Sequence, residues 1–581
     1  MSQRTRVFAA VSCFILGFGA FRWGAVLHAH AQTDTGKVTL TLLGTTDTHG
    51  HLLAWDDLTN RPVNGGLTKI ATLIEQVRAS EPNVVLLDSG DTIEGTPMAY
   101  YFAEKDAAAA NPEIAAFNAL HYDAMAVGNH EFNFGETVMW KAKRESHFPW
   151  LAANLKETYT SGVPYIRPYI IKEVAGVRVG IVGFVTPGVP RWEIPSHYRG
   201  YSFEPIVDAA RRVIPEVRRK CDLVVVIIHS GLDRNPKTGE MFSDLPGVNE
   251  NATWELAQEV PGIDVILYGH THQEMPELML NGVLLTQAKN WGGSLARADV
   301  TLQRDSAGHW QVVSKHSTTI RPTPDTPEDP AIVKLLEPYR EKVEKYLDTP
   351  LDTNEKSLSG TLSRYEADPL VDLIQRVQLR DARADVSMAT LFIPSTRVAA
   401  GTVTIRDAFG VYPYENTLYA VEMTGAQLKD ALEHAASFFP SWPNTSGKPL
   451  RLPGYDADAA EGVSYEMDLS KPVGSRIVNL TYHSKPLAAD QKLRVAINNY
   501  RYTGGGAYSV YKGLPIVYRS TEEVRDLIID YLAKTKEFPD ATDDNWRIIP
   551  DEAREAIEKQ ALSMEQRREA PQAKPSGASY R

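Results

Sequence analysis

Cysteine is almost missing: Cys13 and Cys221 are the only two in 581 residues. Once the leader described below is set aside, one thiol remains, and a disulfide framework within the rest of the chain is excluded. Excess positive charge is missing too. Sixty-one Lys and Arg against 73 Asp and Glu leave −12 at pH 7, which removes the broad basic footprint of a nucleic-acid-polymer binder. No internal repeat is present, which excludes solenoids and arrays. Long apolar runs are scarce. "VFAAVSCFILGFGAF" (7–21) is shorter than a comfortable membrane span, and Arg22 interrupts its continuation. With Arg4 and Arg6 before it and "AHA" at 29–31 after it, this run reads as the core of a signal peptide spanning 1–31. The chain is therefore expected to be exported, periplasmic or extracellular, without stable membrane insertion after cleavage.

What is there is an ordinary globular composition, 43% hydrophobic and 23% charged, in a chain long enough for two or three domains. From about 38 to 300, short β-rich runs end abruptly in polar, Gly-containing sequence: "VTLTLLG", "NVVLLDSG", "DAMAVG", "VRVGIVGFV", "CDLVVVIIH" and "IDVILYG". Continuous Val/Ile/Leu runs predict strands buried on both faces, hence an α/β core. Cys221 opens one of them and reads as packing. Helices are predicted over 66–80 and 201–220. "RPTPDTPEDP" (321–330) marks a boundary, followed by a connecting helix interrupted at Pro338, so that 35–320 forms one domain and 321–350 a linker. A second αβ region covers 351–548. The charged 549–581 stretch, helix-like before it runs into "APQAKPSGASYR", is expected to end as a disordered tail.

The chemistry collects where the first-domain strands end. "VTLTLLGTT" delivers Asp47 and His49, which in an extended segment would point to one side. "NVVLLDSG" delivers Asp91, "DAMAVG" delivers Asn129 and His130, "CDLVVVII" delivers His229, and "IDVILYG" delivers His270 and His272. Open α/β sheets bind ligands outside the carboxyl ends of their strands. The Asp/Asn/His mix is one that divalent metals use, and the number of groups suits two ions with Asp91 as the bridging anion. His130, one residue beyond Asn129, is placed to protonate a leaving oxygen or to hydrogen-bond a phosphoryl oxygen.

The ordered blocks "DTH", "GDTIEGTP", "GNHEFNFG", "HSG" and "GHTH" resemble the calcineurin-like metallophosphoesterases, and more narrowly the family of 5′-nucleotidases and 2′,3′-cyclic-nucleotide phosphodiesterases. The resemblance covers about 38–535. It implies a four-layer αββα metallophosphoesterase domain followed by a C-terminal α+β substrate-binding domain. It implies two divalent metal ions (Zn, Mn or Co), one on Asp47, His49, Asp91 and His272, the other on Asp91, Asn129, His229 and His270. It makes His130 the catalytic histidine and assigns the attack on phosphorus to a metal-bridging hydroxide. One departure stands out. The family's usual Asp three residues beyond the histidine is Asn133, as in the cyclic-nucleotide branch, and an amide orients an imidazole without adding negative charge.

For the second domain the resemblance implies a nucleobase clamp, with Tyr414 of "YPYENT" and Tyr500 of "NNYRYTGGGAY" stacking on the base and Asn416 contacting it. Each such contact is worth about 1–3 kcal/mol. The family's "NGGxR" loop is replaced by "FIPSTR", which leaves Arg397, and secondarily Arg364, as the arginine candidates. The "GGDG" acid that binds ribose in some members is missing, since the sequence here is Gly504-Gly505-Gly506-Ala507. Together these features favour a 2′,3′-cyclic-nucleotide 2′-phosphodiesterase with nucleotidase activity. A plain 5′-nucleotidase or UDP-sugar hydrolase is the nearest alternative, and a non-catalytic nucleotide- or metal-binding protein a more distant one.

Overall fold

The computed structural model describes residues 36–157, 165–242, 248–445, 448–539 and 541–569. The segment read as a signal peptide lies outside the described residues. No described helix is long and apolar enough to cross a membrane.

The apolar runs of the first half become the centres of two six-stranded sheets. In the first sheet Lys37–Thr45, Val84–Asp88, Ala124–Ala126 and Trp150–Leu151 run parallel, and on the side of Lys37–Thr45 the sheet continues with antiparallel Leu295–Arg304 and then Trp310–Ile320, antiparallel to it in turn. In the second, Val177–Val185, Leu223–His229, Val265–Tyr268 and Val283–Gln287 are parallel, with antiparallel Tyr169–Val174 and Met275–Leu280 at the edges. The sheets stack face to face. Leu40, Leu42, Val85 and Leu87 of one pack against Val179, Ile181, Val225 and Leu267 of the other. Alternation sends Leu43 and Leu86 to the opposite face, where helix Leu67–Ser80 covers them with Ile70, Leu73, Ile74 and Val77. Helix Ile206–Arg218 covers the outer face of the second sheet through Val213, Ile214 and Val217. The result is four layers, helix, sheet, sheet, helix. Cys221 is buried in this outer core, where burial pushes its thiol up, away from the thiolate.

Two expectations change and one is met in part. The predicted helix over 201–220 starts late: Tyr201–Phe203 is a strand paired with Leu155–Glu157, and Pro205 precedes the helix. The connecting helix is not interrupted. Asp329 caps Ala331 and Ile332 at 2.9 and 3.0 Å, and Pro330–Leu347 runs through Pro338, held by buried Ile332, Leu336, Val343 and Leu347. The charged stretch after 549, read as helix-like, forms helix Asp551–Glu569. Ala553, Ile557 and Ala561, spaced four apart, dock it onto the second domain, and Gln560 and Glu565 bond Leu450 and Arg397. Residues 570–581 lie outside the described residues.

The C-terminal α+β domain is built on a five-stranded sheet in the order Ala459–Glu461, Val386–Ala389, Lys492–Asn498, Thr417–Thr424, Ile516–Glu523. A four-stranded sheet adjoins it. One apolar cluster runs from Leu43 through the connecting helix to Leu370, Leu391 and Phe409, so the two halves share a core. Across their boundary the buried Arg525 guanidinium lies 4.3 Å from the centre of the Tyr100 ring and 4.2 Å from that of Phe409.

Candidate active site

The two sheets meet with their parallel strands ending at one edge, and the chain turns sharply after each. Asp47, His49 and Asp91 follow first-sheet strands, as do Asn129 and His130. His229 closes a second-sheet strand, and His270 and His272 follow another. The turn after Thr45 is not extended, so the side-chain alternation expected for Asp47 and His49 is not what brings them together. Both residues adopt left-handed backbone, φ 49° and 46°, as do Asp91 (60°), His270 (79°) and His272 (53°). Side chains other than Gly rarely accept this region, at a cost of order 1–3 kcal/mol each. The turns are held by each other: Asp47, His49 and Gly50 donate their N–H groups to the carbonyls of Gly90, Asp91 and Thr92, all at 2.9 Å. Gly128 is required here, because a Cβ would fall on the Asp91 carboxylate.

The side chains converge. His49 Nε2 lies 3.0 Å from His272 Nε2, and Asp47 Oδ1 is 3.5 Å from the latter. His229 Nε2 lies 2.8 Å from Asp91 Oδ2, which is also 3.8 Å from His49 Nε2 and 3.9 Å from His130 Nε2. Asp47, His49 and His272 form one group of potential ligands, Asp91, His229 and His270 a second, and His49, Asp91 and His130 a third that overlaps both. Donor separations near 3 Å are those of neighbouring ligands on one ion bound at about 2.0–2.2 Å. His229 Nδ1 donates to the Ser89 carbonyl at 2.8 Å, so its Nε2 faces the Asp91 carboxylate with a positive charge between them, whether proton or metal ion. Burial opposes a charged His229, yet Asp91 raises it to about 9. Burial would likewise raise Asp47, but His272 and His229 bring it to about 2. Burial and the neighbouring His229 lower His270 to about 3, leaving a neutral imidazole suited to coordination. Asn129 Oδ1 is buried without a hydrogen-bond partner among the described residues. An oxygen stranded beside these groups fits a metal ligand, and the donor set fits divalent ions.

Comparison with known proteins agrees. Residues 40–274 match the model for calcineurin-like phosphoesterases, and 349–513 that for the 5′-nucleotidase C-terminal domain. A 2′,3′-cyclic-nucleotide 2′-phosphodiesterase/3′-nucleotidase of Haemophilus influenzae is 31% identical over 590 residues, covering 88% of each chain. The protein so named in Salmonella typhimurium is 29% identical over 90% of each. The chain belongs to the 5′-nucleotidase and cyclic-nucleotide phosphodiesterase family of calcineurin-like metallophosphoesterases. The solved structure of a 5′-nucleotidase precursor from Thermus thermophilus shares 26% identity and a TM-score of 0.62 over 88% of this chain and 99% of that one. This family member is a metal-dependent phosphoric ester hydrolase acting on nucleotides.

A cleft of about 880 Å³ separates the phosphoesterase residues from the C-terminal domain. Asp91, Asn129, His130, Asn133, His270 and His272 line one side, and Asn416, Tyr455, Asn499 and Tyr500 the other. The Tyr500 ring lies over Gly505, where a Cβ would meet it, so the "GGG" run seats this aromatic. Tyr414 packs edge-on against Phe392 at 4.9 Å and is absent from the cleft wall, and no Tyr414–Tyr500 ring pair forms among the described residues. Arg364 donates to the carbonyls of Leu391 and Phe392, and Arg397 to Thr361 and Glu565; neither lines the cleft.

Several residues escaped the sequence reading. His130 Nδ1 is 2.5 Å from Asn133 Oδ1, as expected, but also 3.0 Å from Glu94 Oε2. Asn133 in turn donates to Glu193 Oε1 at 2.7 Å, and Glu193 Oε2 meets His197 Nδ1 at 2.7 Å. The charge that Asn133 lacks is thus supplied by two carboxylates. Burial opposes an imidazolium at His130, but Glu94 and Asp91 raise it well above the usual range. Glu131 accepts the N–H groups of Asp91, Thr92 and Gly128 at 3.0, 2.6 and 2.6 Å and shapes the Asp91 turn. Tyr455 adds an aromatic beside Tyr500. Glu94 and Glu131 sit inside conspicuous motifs, whereas Glu193 and Tyr455 carry no local signal.

Proposed function

We propose that the chain is an exported hydrolase of 2′,3′-cyclic nucleotides, opening the 2′ ester and then releasing phosphate from the resulting 3′-nucleotide. The observation that carries this reading is the cleft itself. Asp91, Asn129, His270 and His272 stand with His130 on one wall, the other candidate ligands lie buried behind them, and Asn416 and the seated Tyr500 ring face them from the other. The preference for the cyclic ester rests on Asn133 and on the names of the Haemophilus and Salmonella relatives. Export rests on the composition of 1–31.

Two divalent ions fit the donors, one on Asp47, His49, Asp91 and His272, the other on Asp91, Asn129, His229 and His270. When bound they would polarise the phosphoryl group and acidify water. The chain's own residues do the rest. Asp91, already within 4 Å of three imidazoles, holds both ligand groups together. His130, with Nδ1 committed to Asn133 and Glu94, presents Nε2 toward the site and delivers a proton to the departing ribose oxygen. Tyr500 stacks on the base and Asn416 hydrogen-bonds its edge. Arg364, Arg397 and Tyr414 act behind this wall, through the loop at 391–397.

The test is a panel of 2′,3′-cyclic AMP, 3′-AMP, AMP and UDP-glucose with Zn²⁺, Mn²⁺ or Co²⁺, products resolved by chromatography. Conversion of the cyclic ester to 3′-AMP and then adenosine is expected. Hydrolysis of AMP but not the cyclic ester would make the chain a 5′-nucleotidase. No turnover with any of them would make it a binding protein.

A further inference from the structure

Glu94 lies outside every ligand set named above, yet it is 3% exposed and occupies the centre of the site. Its Oε2 stands 3.1 Å from His49 Nδ1 and 3.0 Å from His130 Nδ1. That oxygen accepts the His49 Nδ1–H and lies beside the His130 Nδ1–H, which is directed to Asn133 Oδ1 at 2.5 Å, so both imidazoles are held in the Nδ1–H form with their Nε2 atoms turned inward. Those atoms then lie 3.8 and 3.9 Å from the same Asp91 oxygen. The rings meet edge to face at 4.9 Å. Gly95 makes the approach possible, because a Cβ there would stand 2.8 Å from that of His49. From the other domain the Glu415 carboxyl hydrogen-bonds Glu94. Glu415 immediately precedes Asn416 and is anchored by the buried Arg525 at 3.0 Å.

We propose that Glu94 is a positioning residue for the hydrolysis: one carboxylate aligns a metal-ligand histidine and the proton-donating histidine on a common point, and Glu415 braces it from the nucleotide-binding domain. This rests on the roles assigned above to His49 and His130. Glu94 touches no reacting atom. It sets where the His130 proton is delivered, so its loss is felt where the leaving group needs that proton. A nucleoside alkoxide needs it; p-nitrophenolate, a stable anion at neutral pH, does not.

The experiment compares wild type, Glu94→Ala and Glu94→Gln on 3′-AMP and on p-nitrophenyl phosphate, with metal content measured by mass spectrometry. Glu94→Ala is expected to lower kcat on 3′-AMP about 100-fold. Its KM should stay within about threefold of wild type, and p-nitrophenyl phosphate turnover should fall less than about tenfold. Metal content should be unchanged. Glu94→Gln should recover most of the loss, because the amide oxygen can still accept the His49 N–H and face the His130 ring while its own N–H donates to Glu415. Equal losses on the two esters, metal lost in step with activity, or a Gln variant as impaired as the Ala variant would each overturn the proposal. Wild-type protein inactive on both esters would instead overturn the functional reading beneath it.

Discussion

Restoring the family's usual acid at position 133 should impair this enzyme. In Asn133→Asp the new carboxylate keeps its acceptor oxygen toward His130 Nδ1, now 2.5 Å away. What it loses is the N–H that Asn133 donates to Glu193 Oε1 at 2.7 Å. Two carboxylate oxygens would then face each other at that distance. Coulomb's law with an effective dielectric of about 20 puts the repulsion near 6 kcal/mol. Proton uptake limits the cost, since protonating an ordinary carboxylate at pH 7 takes about 4 kcal/mol. The new O–H···O⁻ bond returns about 2 kcal/mol of that. The net cost is about 2–4 kcal/mol, or roughly 30- to 1000-fold in kcat/KM. Adding Glu193→Gln should recover most of it, because the amide introduced there can donate to the new carboxylate. The assay is a double-mutant cycle on 3′-AMP hydrolysis at pH 7, with thermal midpoints as a folding control. A coupling energy of at least about 2 kcal/mol is expected. Asn133→Asp at or above wild-type activity, or a loss indifferent to Glu193→Gln, would refute the reasoning.

Three further outcomes are expected. His130→Ala should cut turnover about 1000-fold while metal content by mass spectrometry stays at the wild-type level; loss of metal would place His130 among the ligands. Asp91→Asn should lower metal content and abolish phosphate release at every metal concentration tried, whereas chelator-treated wild type should recover on adding metal. Glu113, wholly buried, is raised by that burial to about 8, so the stability available while it is protonated drains away as pH rises from its unfolded value of 4.5 toward 8. Glu113→Gln should therefore gain on wild type in denaturant midpoints between pH 5 and pH 8, by up to about 3 kcal/mol; a pH-independent gap would show that Glu113 does not titrate there.

The β-rich runs of the first half were legible because parallel strands buried on both faces must be continuously apolar. "CDLVVVIIH" and "VRVGIVGFV" have no other comfortable place. The candidate ligands were legible because each follows such a run directly. The stretch after 549 was legible as a helix, but its docking was not. Its charge is real, but Ala553, Ile557 and Ala561 form a stripe only two turns long, and small residues four apart weigh little in a composition. Pro338 was misread because the rule against internal proline describes one lost hydrogen bond and a clash. Here the buried face of Pro330–Leu347 outweighs both.

The site itself divides along a physical line. Ligands announce themselves by type and spacing, since few residues bind divalent ions. Residues that orient ligands do not, since any carboxylate at the right place will serve. Asp47 and His49 do come together, but by a geometry other than the one expected: their pairing was read as strand alternation, whereas both lie in left-handed turns held by the loop at 90–92. Sequence records which groups converge; the backbone that makes them converge is set by contacts from the neighbouring strand end. The same holds for Asn133. Taken alone, its amide marks a site short of negative charge. With Glu94 and Glu193 in place the charge is present but delocalised, part of it reaching His130 directly and part through the amide. An acid at position 133 and an acid at position 193 would then be alternatives rather than partners. Asn133 is neutral because the acid standing behind it is not.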